Sequence, residues 1–181
     1  MIPSFKSLTA FLVIFCLHMN LVGESDPHKF IDSQAQEMVS IIINNQKLFA
    51  EDPELFKDKI SMIFEPMVDF RRVGASVMGK KYYLASSKSQ RLEFIQAFKN
   101  SLLDTYTSTL AQWGDQRIVT VFPEFYEYKK TEDVQQNLIT ASNIYPITYK
   151  VRKNKSGDWL IINIIVNGVN LGLTFRNQFQ A

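Results

Sequence analysis

Apolar positions along the chain follow two periods, and the change falls after residue 113. In the first half they recur every three or four residues, the spacing of a helix with one buried face. Asp26-Pro27 is a start signal, a capping carboxylate followed by proline at the first helical position. Phe30, Ile31, Gln34, Ala35, Met38, Val39 and Ile42 continue the spacing, which predicts a helix to about Leu48. Asp52-Pro53 repeats the signal ahead of Leu55, Phe56, Ile60, Ile63 and Phe64, and Pro66 interrupts this second helix. Asp69 can cap a third, from Phe70 to about Met78, with Gly79 as its stop.

The strongest helical pattern follows. Ser87 and Gln90 form a capping box, in which each side chain meets the other residue's backbone amide. Phe94, Phe98, Leu102 and Tyr106 then stand four apart, and Gly114 is the natural end. Beyond it, Arg117–Phe122, Gln136–Ala141, Tyr145–Arg152 and Trp159–Val166 read as strands, and Val169–Phe175 as a last one. The loop 154–158 and the two-residue Asn167-Gly168 turn imply antiparallel neighbours. Pro146 marks its segment as an edge or a strand start. Helices first and strands afterwards give an α+β fold: N-terminal helices packed on a curled antiparallel sheet.

Residues 1–23 stand apart. Lys6 precedes a largely apolar run of ten, Leu8 to Leu17, and Gly23 stands before Glu24-Ser25-Asp26. The run is shorter than the roughly 17–25 residues of a membrane span and fits the core of a secretory signal peptide cleaved near Gly23. The reading is therefore a cleaved signal peptide over 1–23 and a single secreted domain over 24–181; the alternative is a buried N-terminal helix or an uncleaved anchor.

Composition narrows the chemistry. The chain of 181 residues balances 20 Lys+Arg against 18 Asp+Glu, which argues against a nucleic-acid binder. Its one cysteine, Cys16, lies inside the signal, and its histidines are His18 and His28. A mature chain with no cysteine and one histidine excludes multi-His metal centres, Cys–His zinc sites and Cys–His nucleophilic pairs by count. His28 reads as an ordinary surface histidine, and Glu132-Asp133 as a solvated loop between strands. No catalytic residue, metal ligand or cofactor motif is assigned. The aromatic content is instead high, with 14 Phe and 7 Tyr. The stripe of Phe94, Phe98, Leu102 and Tyr106 faces strands in which Tyr145, Ile147, Tyr149 and Val151 alternate with polar residues. All of this is either core or the wall of an apolar cavity between helices and sheet, where tyrosine suits a wall with a wet mouth.

The sequence resembles the MlaC family of periplasmic phospholipid-binding, toluene-tolerance or ABC-transport auxiliary proteins. The resemblance rests on Asp69-Phe70 with Gly79 following, Ala85-Ser86, Gln90-Arg91, Phe94, Phe98, Leu102 and Thr105-Tyr106. Its second block is Tyr149, Trp159, residues Val166 to Leu171, and Phe175-Arg176-Asn177-Gln178-Phe179. It spans roughly residues 30–179. It implies a soluble carrier that holds phospholipid acyl chains in a cavity and shuttles them between an outer-membrane lipoprotein complex and an inner-membrane MCE/ABC transporter, maintaining outer-membrane lipid asymmetry. It places Phe94, Phe98, Leu102 and Tyr106 on the helix side of that cavity, with Tyr145, Ile147, Tyr149 and Ile161 expected from the sheet. The alternatives are a carrier of another lipid such as a hopanoid, an α+β enzyme, or an interaction module with a filled core. The chain departs from the family pattern at Asn163, where an acid is usual nearby, at Asn170, where serine is usual, and at Tyr82-Tyr83, where the family's aromatic pair commonly includes Trp. It also stops at Ala181, short of the family's C-terminal helix. Arg176 is a candidate for structure, as an ion pair or C-terminal anchor, or for the cavity mouth, with structure the favoured reading.

Overall fold

The computed structural model describes residues 26–181; the expected signal peptide lies outside the described residues. Helix α1, Pro27–Asn44, starts as its signal predicts: the Asp26 carboxylate accepts from the amides of His28 at 2.8 Å and Lys29 at 3.3 Å. It stops earlier than the periodicity implies. Asn45 leaves helical geometry and turns its side-chain amide onto the Ile41 carbonyl at 2.7 Å, the competition for backbone groups that makes asparagine a helix terminator. A separate short helix α2, Gln46–Glu51, follows.

Helix α3, Pro53–Met67, carries Pro66 within its last turn and ends one residue later. Val68 is extended and forms a parallel bridge with Ile161, while the Asp69 amide donates to the Ile161 carbonyl at 2.9 Å. This ties the helical half to the sheet. Helix α4, Phe70–Ala85, is capped by Asp69 and broken, as expected, at Gly79, but it resumes beyond the break. Helix α5, Lys88–Ala111, has the capping box of Ser87 and Gln90. At 24 residues it is the longest element among the described residues and spans roughly 36 Å.

The strands are β1 Arg117–Thr120, β2 Thr131–Ile139, β3 Ile144–Lys153, β4 Trp159–Val166 and β5 Val169–Asn170. They form one antiparallel sheet in sequence order. Pro146 lies near the start of β3, opposite Asn137. A register shift between Lys150 and Val151 gives β4 an extra residue, a bulge of the kind that bends a strand. Asn167 and Gly168 both have positive φ, 48° and 82°, as a tight hairpin turn requires.

Three expectations need correction. The segment 131–135 belongs to β2 and is not a loop. Glu132 faces inward, buried, and accepts from the Tyr126 hydroxyl at 2.7 Å and from the Lys129 amide, while Asp133 faces outward and pairs with Lys150 at 2.7 Å. The expected last strand is reduced to β5, and Leu171–Gln180 forms helix α6. The Asn170 side chain accepts from the Leu173 amide at 3.0 Å, so it caps the helix. His28 is buried, only 5% exposed, among the rings of Phe122, Tyr126 and Tyr128. Burial, together with its hydrogen bond to Asp26, pushes the Tyr128 phenol up to about 12. Partial burial acts upward on Asp26, but the bonds from Tyr128 and the two amides outweigh it and hold the carboxyl below its ordinary value.

Two apolar clusters organise the interior. Ile31, Ile63, Met67, Val134, Val151, Trp159 and Ile161 join α1 and α3 to the sheet. Ile42, Phe56, Ile60 and Leu103 join α1 and α3 to α5. A buried polar chain runs beside the first: Gln136 Nε2 donates to Thr120 Oγ1 at 2.8 Å, which donates to Asp32 at 2.7 Å. Helix α6 lies across α4 near its break, where the Gln180 side chain donates to the Met78 carbonyl at 3.3 Å. Gly79 has φ 69° and ψ 166°. A Cβ there would sit 2.7 Å from Gln180 Nε2 and 3.2 Å from Arg176 Nη2. This backbone region is essentially restricted to glycine, so Gly79→Ala is expected to destabilise the fold by about 1–3 kcal/mol, read as a lower urea midpoint in circular dichroism.

Candidate functional site

Between the two clusters the interior is hollow. A partly open cavity of about 290 Å³ lies under α5 and α6, over the inner face of β3 and β4, with α1, α3 and the start of α4 also bordering it. Its wall is almost wholly apolar, and among the described residues no Lys, Arg, Asp or Glu borders it. Six of the eight residues expected at a cavity are brought together here: Phe98, Leu102 and Tyr106 from α5, Ile147 and Tyr149 from β3, and Ile161 from β4. Their convergence follows from the spacing. Positions four apart share a helix face, and alternate strand positions share a sheet face. Tyr106 remains 40% exposed, which places it at the rim.

Phe94 and Tyr145 are not among the lining residues. Phe94 stacks on Phe98 and receives the edge of Phe179 with ring centres 4.8 Å apart, so α6 occupies the space it faces. Tyr145 shares the inward face of β3 but stands near the strand's end, opposite Leu138. Other lining residues were visible in the sequence only as helix-core positions: Met38 on α1, and Ile60 and Phe64 on α3. Leu171 and Phe175 reach the cavity because their segment is helical. The signal for it was the spacing Leu171, Phe175, Phe179, four apart like the stripe on α5.

Helix α6 is the wall with the least buried attachment, since none of its residues is buried. It is held by side-on aromatic pairs, Phe98 with Phe175 at 5.4 Å between ring centres and Tyr82 with Phe179 at 5.4 Å, besides Phe94 with Phe179. Asn163 anchors its start from the cavity wall: its amide nitrogen donates to Asn170 Oδ1 at 3.1 Å, and its oxygen accepts from the Gly172 amide at 3.1 Å. Two of the positions expected to depart from the family pattern, Asn163 and Asn170, are thus in contact. Arg176 of α6 lies beside Gly79 of α4.

A separate depression of about 260 Å³ is bordered by Arg72, Lys130, Arg152, Lys153 and Lys155, with one acid, Asp69. Its polar, cationic wall separates it in character from the cavity. Among the described residues no three His, Cys, Asp or Glu side chains are grouped as metal ligands, and no helix is long and apolar enough to cross a membrane.

Residues 32–181 match the family described as MlaC protein. The chain belongs to the MlaC family. It is 31% identical over 160 residues to toluene tolerance protein ttg2D of Pseudomonas putida, covering 87% of this chain and 73% of that protein. It is 26% identical over 170 residues to the intermembrane phospholipid transport system binding protein MlaC of Haemophilus influenzae, covering 92% and 79%. Its fold is shared with a phospholipid-binding protein from Ralstonia solanacearum, solved in complex with a phospholipid: TM-score 0.77 at 20% identity over 86% of each chain. Within this MlaC fold the anchoring role of Asn163 is directly testable. Asn163→Ala removes both bonds to the start of α6, so the amides of Gly172 and Leu173 are expected to exchange hydrogen at least about fivefold faster, as befits the loss of bonds worth roughly 1 kcal/mol each. Amide exchange followed by NMR checks this against unchanged amides in β3.

Proposed function

We propose that the protein is a periplasmic carrier that takes up a phospholipid by its acyl chains. It passes the lipid between an outer-membrane lipoprotein complex and an inner-membrane transporter with an MCE subunit, and so maintains outer-membrane lipid asymmetry. The observation that carries this reading is the uncharged apolar cavity of about 290 Å³ in a chain of the MlaC family. Moving acyl chains through water requires a dry enclosure and no bond chemistry. Each buried CH₂ contributes roughly 0.8 kcal/mol, so chains are held strongly without a dedicated headgroup contact. Phe98, Leu102, Tyr106, Ile147, Tyr149 and Ile161 are the proposed contacts. Phe94 and Tyr145 act from outside the lining, Phe94 by bracing Phe98.

The names of the relatives support the ligand class: one is a binding protein of a phospholipid transport system, and a protein of the same fold was solved with phospholipid bound. The cavity volume lies at the low end for ligand pockets, which run about 300–1,000 Å³ for drug-sized molecules. A diacyl lipid is larger, so the wall has to yield on loading, and α6 is the wall with no buried residue. Export through a signal peptide over 1–23 would deliver the chain to the compartment where such transfer takes place.

Native mass spectrometry of the protein purified from periplasm is expected to show adducts of phospholipid mass. A clean unliganded mass would count against the carrier reading, and a triterpenoid mass would replace phospholipid by another lipid. Leu102→Glu places an unpaired carboxylate against a dry wall and is expected to abolish the adduct while leaving the circular dichroism spectrum unchanged.

A further inference from the structure

The cavity wall contains one polar group with nothing to do. Tyr149 sits in the middle of β3, opposite Val134 on one side and Ile164 on the other, packed against the first apolar cluster. The residue is half-buried, and burial pushes its ionisation above the ordinary tyrosine range. Its hydroxyl makes no hydrogen bond among the described residues, whereas the other polar lining side chains are engaged. Thr107 donates to the Leu103 carbonyl, and Asn163 both donates to Asn170 and accepts from Gly172. Tyr106 keeps its hydroxyl at the half-exposed rim. A hydroxyl on an apolar cavity wall with no protein acceptor has its donor free for whatever fills the cavity. A trapped water is a poor candidate, since it needs two to four polar partners, and the wall around Tyr149 is apolar.

We propose that the Tyr149 hydroxyl donates a hydrogen bond to an acyl-ester carbonyl of the bound lipid, so that the cavity selects ester-linked lipids over ether-linked lipids of the same chain length. The inference rests on the reading of the protein as a lipid carrier and refines its substrate class. The acceptor is a neutral carbonyl because no Lys or Arg among the described residues borders the cavity. A phosphate or a free carboxylate drawn to Tyr149 would be a buried charge with a single neutral donor. An ester carbonyl needs only one donor and brings no charge. An ether oxygen, a far weaker acceptor, leaves the hydroxyl unsatisfied.

The test is a competition. The purified protein is incubated with vesicles holding equal amounts of a diacyl phosphatidylglycerol and its dialkyl-ether counterpart, and the bound lipid is identified by native mass spectrometry. The native protein is expected to hold the ester form about five- to tenfold over the ether form, the range for one hydrogen bond gained or lost. Tyr149→Phe keeps the ring and is expected to bring the ratio to one. Its lipid-free thermal midpoint should be unchanged or higher, because it deletes a group without a partner. Equal uptake of both lipids by the native protein, or a preference that survives Tyr149→Phe, overturns the proposal and leaves the carrier reading intact. Uptake of neither lipid overturns both. The ester-to-ether ratio of the native protein is informative by itself, whatever the variant's folding yield.

Discussion

Everything in this molecule is arranged around apolar side chains that meet empty space where a partner side chain would ordinarily be. Interiors pack to the density of organic crystals, and a gap forfeits dispersion contacts along its whole lining. Here the gap is bounded by two well-filled clusters. One, centred on Trp159 and Val151, locks α1 and α3 to the sheet; the other, centred on Phe56 and Ile42, locks them to α5. Met38 and Phe64 touch both clusters and also border the cavity. The helix pair α1/α3 is therefore a shared wall: it closes each cluster and spans the hollow between them. The hollow persists because the elements around it are fixed elsewhere, by the sheet ladder, by the Val68–Ile161 bridge and by the two clusters.

Much of this was legible along the chain, and the failures have specific causes. Starts marked by a carboxylate and proline, at Asp26 and Asp52, fell where the sequence placed them, as did the capping box at Ser87. β4 kept its expected bounds because an unbroken apolar run between turns has few readings. β2 was under-read because its inward positions include Glu132 and Gln136. Polar residues at buried positions erase the alternation that reveals a strand, and only tertiary partners, Tyr126 and Lys129 for one and Thr120 for the other, explain why they are tolerated. His28 was misplaced for a related reason: its burial depends on Phe122, Tyr126 and Tyr128, about a hundred residues away.

The C-terminal segment shows how two valid signals can compete. Val169 to Phe175 follows a tight turn and contains β-formers, which favours a strand. Asn170 as a cap and Leu171, Phe175 and Phe179 at fourfold spacing favour a helix. The helix wins because Phe94, Phe98 and Tyr82 are positioned to receive that face. The stripe on α5 is therefore divided in use. Leu102 and Tyr106 face the cavity, Phe98 faces it and also meets Phe175 of α6, and Phe94 meets α6 alone. Sequence spacing gave one face of α5, but two different occupants cover it.

That division links cavity and helix energetically. A ten-residue helix is marginal in water by itself. What stabilises α6 is its cap, the two bonds of Asn163, the Gln180 bond to Met78 and the edge-on rings. Aromatic pairs of this kind contribute about 0.5–1.5 kcal/mol each. Asn163 and Phe175 belong to both lists, holding α6 and bordering the cavity. A change in what fills the cavity therefore acts on the same side chains that keep its last wall in place. The other walls are tied together by buried side chains of the two clusters and by the sheet ladder, whereas α6 contributes no buried residue and depends on its cap, a few polar bonds and aromatic edges.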